Sequence, residues 1–413
     1  MHTIGDGDTP SGNSGPRHPR SSHTPKRYLL YPKRPSRCLN PAWMNDTGRK
    51  LCVGAAAAVA LALIWGAKVL GAPSTSSAPS SGPARAHPEC AAGLKPGAPK
   101  EIKVASRRAS LAGSKLSFLD PEPHHRLTLG ILGPINEDSG RNMLALRKYL
   151  AFFAEEKASA IVVTGDVGEV SDGIARVLKV LGRSQLPVLV VIGNRECRVD
   201  FNQGVAAAQK ELSNIVNLNQ IRAVEFREAT LISLPGYHDP NYITCASGCR
   251  YYKSTVDELV QLAKASTTPV MLISHGPPRG EGSQALDYAI SGGNVGDPEI
   301  NRAIREGNIA FGAFSNIKEA GARATDLPGT TLIPPSTPAK ALFLNPGPAD
   351  TMRWEMNDGN KSYGMAAVLT IEGGRASWKG FRVKQLTSEE KAQAKALDPA
   401  PAVQEAAHKH LAP

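Results

Sequence analysis

The stretch Ile161-Val162-Val163-Thr164-Gly165-Asp166 constrains what this chain can fold into more than any other. Three β-branched apolar residues predict a buried strand, and Thr-Gly predicts a sharp turn because glycine frees the backbone. The turn leaves Asp166 at the carboxyl end of the strand, where α/β sheets gather their ligands. Taken alone, Asp166 reads first as the cap of a helix beginning near Ser171, since Asp and Ser are ordinary helix starters. Two further strands end in the same style, however. Residues 188–192 run into Gly193-Asn194-Arg195-Glu196, and residues 270–273 run into Ser274-His275-Gly276. Three polar residues at three neighbouring strand ends define a candidate site.

Around that stretch, apolar periodicity predicts strands at 127–132, 161–164, 188–192, 223–226, 230–234, 270–274, 309–311, 341–344, 364–371 and 376–383. Helices are predicted at 141–156, 173–181, 204–212 and 255–265. The first part alternates strand and helix, and the last part is antiparallel in style. Together they predict an α/β fold of two packed sheets with helices outside.

The flanks of this region are built differently. Residues 1–50 are rich in Gly, Pro, Ser, Arg and Lys without an apolar period, which predicts disorder. Much of the formal net charge of +11 sits there, so the basic balance does not point to nucleic acid. Residues 51–72 are Ala/Leu/Val-rich, interrupted by Lys68 and preceded by Arg49-Lys50. Such a run predicts a membrane-spanning helix or signal anchor with the remainder exported, periplasmic or extracellular. Met44 is an alternative start, because residues 44–50 would make an ordinary charged leader. Residues 73–126, low in complexity through 99, read as a flexible Ser/Pro/Gly/Ala-rich linker, the folded domain as 127–386, and 387–413 as a disordered tail.

Other polar positions admit two readings each. Cys245 and Cys249 are spaced for a small disulfide loop, or for half a metal site that has no second Cys/His pair at useful spacing. His238-Asp239 follows Pro235-Gly236 and reads as a turn before it reads as part of a site. Arg279 and Arg195 are suited to a phosphate or to surface ion pairs. The glycine-rich 292–297 follows a predicted helix instead of a strand, which argues against a phosphate cradle.

Gly165-Asp166, Gly193-Asn194-Arg195-Glu196, Ser274-His275-Gly276-Pro277-Pro278 and Asn345-Pro346-Gly347 together resemble the calcineurin-like metallophosphoesterase family, over about residues 127–383. The resemblance implies a four-layer α/β/β/α sandwich of two packed mixed sheets with outer helices and a dinuclear centre of manganese, iron or zinc. It assigns Asp166 as the acid bridging two metals, and Asn194 and His275 as ligands of one of them. Hard oxygen and imidazole donors suit divalent ions that polarise a phosphoryl oxygen.

The departures from that pattern matter as much. Gly133-Pro134-Ile135-Asn136 stands where the family has Asp-x-His, Arg195 replaces its catalytic His, and residues 312–315 lack the imidazoles of Gly-His-x-His. Glu137, Asp138 and Glu319 are close enough in sequence to substitute. The candidate metal ligands are thus Asp166, Asn194 and His275, the candidate catalytic residues are Arg195 and His275, and ligands survive for about one divalent ion or none. Two functions follow: a weak, membrane-anchored phosphoric ester hydrolase, or an inactive descendant that binds a phosphorylated small molecule or a protein.

Overall fold

The computed structural model describes residues 87–399. The predicted basic segment 1–50, membrane run 51–72, the first part of the linker and the end of the tail lie outside the described residues. The described chain opens with three antiparallel strands, β1 (Lys100–Val104), β2 (Arg107–Ala112) and β3 (Lys115–Phe118). Next come β4 (Arg126–Leu132), α1 (Gly140–Glu155), β5 (Ala160–Val163), α2 (Ser171–Gly182), β6 (Val188–Val190), α3 (Arg198–Gln209) and β7 (Ile215–Asn217). Then follow β8 (Ala223–Glu225), β9 (Thr230–Leu234), α4 (Lys253–Lys264), β10 (Val270–Ser274) and the short hairpin β11 (Tyr288–Ala289) and β12 (Gly293–Asn294). The chain closes with α5 (Pro298–Glu306), β13 (Phe311–Ala313), β14 (Arg323–Thr325), β15 (Leu342–Asn345), β16 (Trp354–Glu355), β17 (Lys361–Ser362), β18 (Met365–Glu372), β19 (Arg375–Arg382) and α6 (Ser388–Lys395).

Two mixed sheets result. One runs β19-β18-β4-β5-β6-β7, with β4 to β7 parallel; the other runs β1-β2-β3-β8-β9-β10-β13-β15-β14, with β9, β10, β13 and β15 parallel. Side chains alternate across each strand. On β5, Ala160 and Val162 face the second sheet with Leu231, Met271 and Phe311, while Ile161 and Val163 face α1 and α2 through Phe153 and Leu178. The outer face of the nine-stranded sheet is covered by α4 and α5 through Leu259 and Ile300. This is the four-layer α/β/β/α sandwich expected, and it turns the carboxyl ends of β5, β6, β10 and β13 towards one place.

Four expectations need correction. Order begins before Leu127: residues 100–118, read as linker, add three strands whose Val104, Ala109, Leu116 and Phe118 enter the inter-sheet core. Residues 388–395, read as tail, are helical, with a Thr387/Glu390 capping box, and Lys148 pairs with Glu390 at 2.5 Å. Cys245 and Cys249 are not joined to each other; Cys249 bonds Cys90 and Cys245 bonds Cys197. The three residues between Cys245 and Cys249 direct the two side chains to different neighbours. In addition, 292–297 belongs to a hairpin instead of following a helix, and its Asp297 caps α5.

A candidate cation centre at the strand ends

Asp166 holds φ of +55°, a left-handed conformation that Asp tolerates better than most residues. Gly165 before it lies at φ +103°, and a Cβ there would stand 2.7 Å from His275 Nδ1 and 2.7 Å from Gly193 Cα. A Cβ on Gly193 would meet Asp166 Oδ1 at 2.3 Å. The Thr-Gly-Asp and Gly-Asn turns therefore touch because neither glycine carries a side chain. Glu196, buried, clamps them: Val167 N–H donates to its Oε1 at 2.6 Å and Gly193 N–H to its Oε2 at 2.9 Å. Burial first, then the charge of Asp166, pushes the Glu196 carboxyl up to about 8.

The side chains converge as predicted. His275 and Asp166 are fully buried and Asn194 is 8% exposed. His275 Nδ1 lies 2.9 Å from the Thr164 carbonyl, which can only accept, so Nδ1 carries the proton. Burial pulls the imidazole below its ordinary range despite the opposing pull of Asp166, which favours the neutral ring, bare at Nε2. That bare nitrogen faces Asn194 Oδ1 at 2.9 Å, Asn316 Oδ1 at 3.1 Å and Asp166 Oδ1 at 3.4 Å. The Asn194 amide is oriented by its Nδ2, which donates to the Tyr242 carbonyl at 2.6 Å. Asp166 Oδ1 also accepts from the backbone N–H groups of Asn194 and Arg195, each at 3.1 Å, while its Oδ2 is buried without a partner.

One nitrogen lone pair and three oxygens pointing at one another are a donor set for a cation, and Asp166 Oδ2 adds an unsatisfied one. The neighbouring polar side chains are already engaged. Asn136 donates its amide to Asp350, whose Oδ1 already accepts from Trp354 Nε1 at 2.7 Å and Met352 N–H at 3.1 Å. Ser315 is engaged with Thr164, whose hydroxyl donates to its Oγ at 2.6 Å. Among the described residues no cluster of three or more His, Cys, Asp or Glu is placed to hold a metal, so the set relies on two amide oxygens.

The side chains of the remaining candidates add no ligand. Arg195 pairs with Glu169 beside the centre. Asp138 pairs with Arg176 at 2.7 Å, Glu137 points to solvent, and Glu319 accepts from the Ile290 N–H, so none replaces a lost ligand. Asp239 caps a single 3₁₀ turn, and the backbone of Arg279 is held by Asn301. Asn316 was missed in the sequence: it follows β13, as His275 follows β10, but its amide matches no imidazole pattern. Its Nδ2 donates to the Tyr237 hydroxyl at 2.8 Å.

No family model matches the chain, and no curated protein is similar to it in sequence. Solved structures align with it at low identity. A protein of Thermus thermophilus is 14% identical, covering 62% of this chain and 99% of its own, with a TM-score of 0.43. A dimetal phosphatase of Danio rerio is 14% identical over 65% of this chain and 98% of its own, with a TM-score of 0.39. GAP50, the anchor in the inner membrane complex of Plasmodium, is 13% identical over 67% and 95%, with a TM-score of 0.40. At such scores the chemistry rests on the side chains described above.

Proposed function

We propose that this chain is a membrane-anchored, exported protein of the metallophosphoesterase type whose centre holds one divalent ion weakly and hydrolyses phosphate esters slowly. The observation that carries the reading is the bare His275 Nε2 set against the oxygens of Asn194, Asn316 and Asp166. A bound ion would polarise a phosphoryl oxygen. Asp166 contributes the one formal negative charge to it, and the neutral amides add little, which keeps affinity low. Arg195 cannot carry a proton to a leaving group, because guanidinium stays charged, and it pairs with Glu169 beside the centre. A missing general acid costs on the order of a hundredfold or more in rate. The missing proton carrier also fits a second reading, in which a phosphorylated ligand or a protein is bound without turnover. Export is supported by two disulfides in the described residues and by the basic flank of residues 51–72. Among the described residues no helix is long and apolar enough to cross a membrane, and 51–72 lies outside them.

The test is elemental analysis of the purified full-length protein, with turnover measured on a panel of phosphomonoesters and phosphodiesters for the wild type and Asp166→Ala. At most one ion per chain is expected, lost in the variant, with slow turnover. Two ions per chain and brisk turnover, both abolished by Asp166→Ala, would refute the reading.

A further inference from the structure

Asn194 has two ways to face His275. With Nδ2 donating to the Tyr242 carbonyl at 2.6 Å, Oδ1 is presented to His275 Nε2 at 2.9 Å, oxygen against lone pair. Turned by half a rotation, the amide would offer Nδ2 to Nε2 and complete a hydrogen bond of its own. The first orientation adds an oxygen to the point where Asn316 Oδ1 and Asp166 Oδ1 already face Nε2; the second withdraws it. Which is populated depends on the Tyr242 carbonyl staying in place.

Tyr242 ends the 3₁₀ turn Pro240–Tyr242, where its N–H donates to the Asp239 carbonyl at 3.2 Å and the Ile243 N–H to the Pro240 carbonyl at 3.3 Å. Between 241 and 246 only Ile243 is buried, and Tyr242 itself is 59% exposed. Thr244 N–H donates to the Asn194 carbonyl at 3.0 Å, Thr244 Oγ1 to the Arg195 carbonyl at 3.1 Å, and Arg198 N–H to the Ser247 carbonyl at 3.3 Å. Hydrogen bonds at an exposed loop open readily. The covalent link is Cys197–Cys245, which joins the loop to the N-cap position of α3, three residues beyond Asn194. Both of its cysteines are partly exposed, whereas Cys249 of the other disulfide is fully buried.

We propose that the Cys197–Cys245 disulfide, acting through the Tyr242 carbonyl, fixes the cation-binding orientation of Asn194, so that the centre binds a divalent ion when the bond is oxidised and releases it when the bond is reduced. The inference rests on the cation site proposed above. The reductant is a dithiol: one of its thiolates attacks a sulfur of the bond, its second thiol closes it to its own disulfide, and Cys197 and Cys245 leave as two thiols with the two electrons and two protons so supplied.

The full-length protein would be titrated with Mn2+ when oxidised, after brief dithiol treatment and desalting, and after reoxidation, with the reduced cysteines located by alkylation and mass mapping. Reduction confined to Cys197 and Cys245 should weaken Mn2+ binding about tenfold or more, the range seen when groups supporting a metal ligand are removed. Reoxidation should restore it, with the far-ultraviolet circular dichroism unchanged throughout. Cys197→Ser combined with Cys245→Ser should match the reduced protein; if that variant does not fold, the reduction cycle of the wild type decides. Equal affinity in the two redox states overturns the proposal. Absence of Mn2+ binding by the oxidised protein sinks the cation reading instead. The clamp is then judged by hydrogen exchange of the Asn194 side-chain amide, which should speed on reduction and whose constancy would also overturn it.

Discussion

At the scale of single residues, Glu228 is the exposed question outside the centre. Its side chain is 6% exposed, both carboxylate oxygens are buried without a hydrogen-bond partner, and the nearest cationic group is His125, whose Nδ1 lies 4.0 Å from Oε1. Burial first, with the like charge of Glu122 adding to it, raises its pKa above the ordinary carboxyl value. The folded protein therefore keeps a proton that the unfolded chain has released. That contribution to stability is fully present below the ordinary value and is lost as pH rises through the raised one. Glu228→Gln preserves the shape and removes the titrating group, so it should flatten the fall in stability as pH rises above the ordinary carboxyl range, about 4. Urea unfolding of both proteins across that rise measures it; parallel pH profiles would dispose of the idea. Residues of the centre differ in how far the sequence announces them. Asp166, Asn194 and His275 were legible because each ends an apolar run. Asn316, Thr164 and the Tyr242 carbonyl act through amide and backbone groups, which leave no mark of their own in a sequence.

At the scale of elements, the close approach of α2 and α3 explains a glycine inside a helix. A Cβ on Gly204 would stand 2.7 Å from Ile174 Cβ and 2.7 Å from the Ser171 carbonyl. Both partners belong to a packed core or a helix start, so the helices would have to part. Gly204→Val should cost about 1–3 kcal/mol in chemical denaturation, the usual penalty of overpacking. An unchanged unfolding midpoint would show that the two helices tolerate separation. The βαβ run that carries these helices was readable from periodicity alone. The strands β1 to β3 were not, although the signal was present. Ile102 and Val104, Ala109 and Leu111, and Leu116 and Phe118 alternate with polar residues, and all six lie in or against the inter-sheet core. Their Lys, Arg, Ser and Gly neighbours gave the stretch the composition of a linker, and composition outweighed the period of two. For α5 the cap Asp297, Pro298 at the first position and Ile300, Ala303 and Ile304 on one face were an ordinary helix signature that went unread.

At the scale of the whole described domain, the segment leading into β1 belongs to the fold because it is sewn onto it. Cys90 bonds Cys249 at a sequence separation of 159, Arg250 N–H donates to the Pro88 carbonyl at 3.0 Å, and the Tyr252 hydroxyl donates to the His87 carbonyl at 2.7 Å. Arg222, fully buried, donates from Nη1 to the Ala92 carbonyl at 3.0 Å and pairs with Glu258 at 3.1 Å. A link of that span removes much of the unfolded chain's freedom, and losing such a bond typically costs about 2–5 kcal/mol. Cys90→Ser with Cys249→Ser should therefore lower the free energy of unfolding by about that amount. Among the described residues no hydrogen bond joins Cys90 or Cys249 to the Asn194 amide or the Tyr242 carbonyl, so its Mn2+ affinity should stay within about twofold of the wild type, below the tenfold expected for loss of a ligand's support. Urea unfolding and an Mn2+ titration of the same preparation separate the two quantities. A variant as stable as the wild type would show that the segment is held by its hydrogen bonds and by Arg222. One that folds but no longer binds the ion would show that both disulfides, and not Cys197–Cys245 alone, hold the loop against the centre.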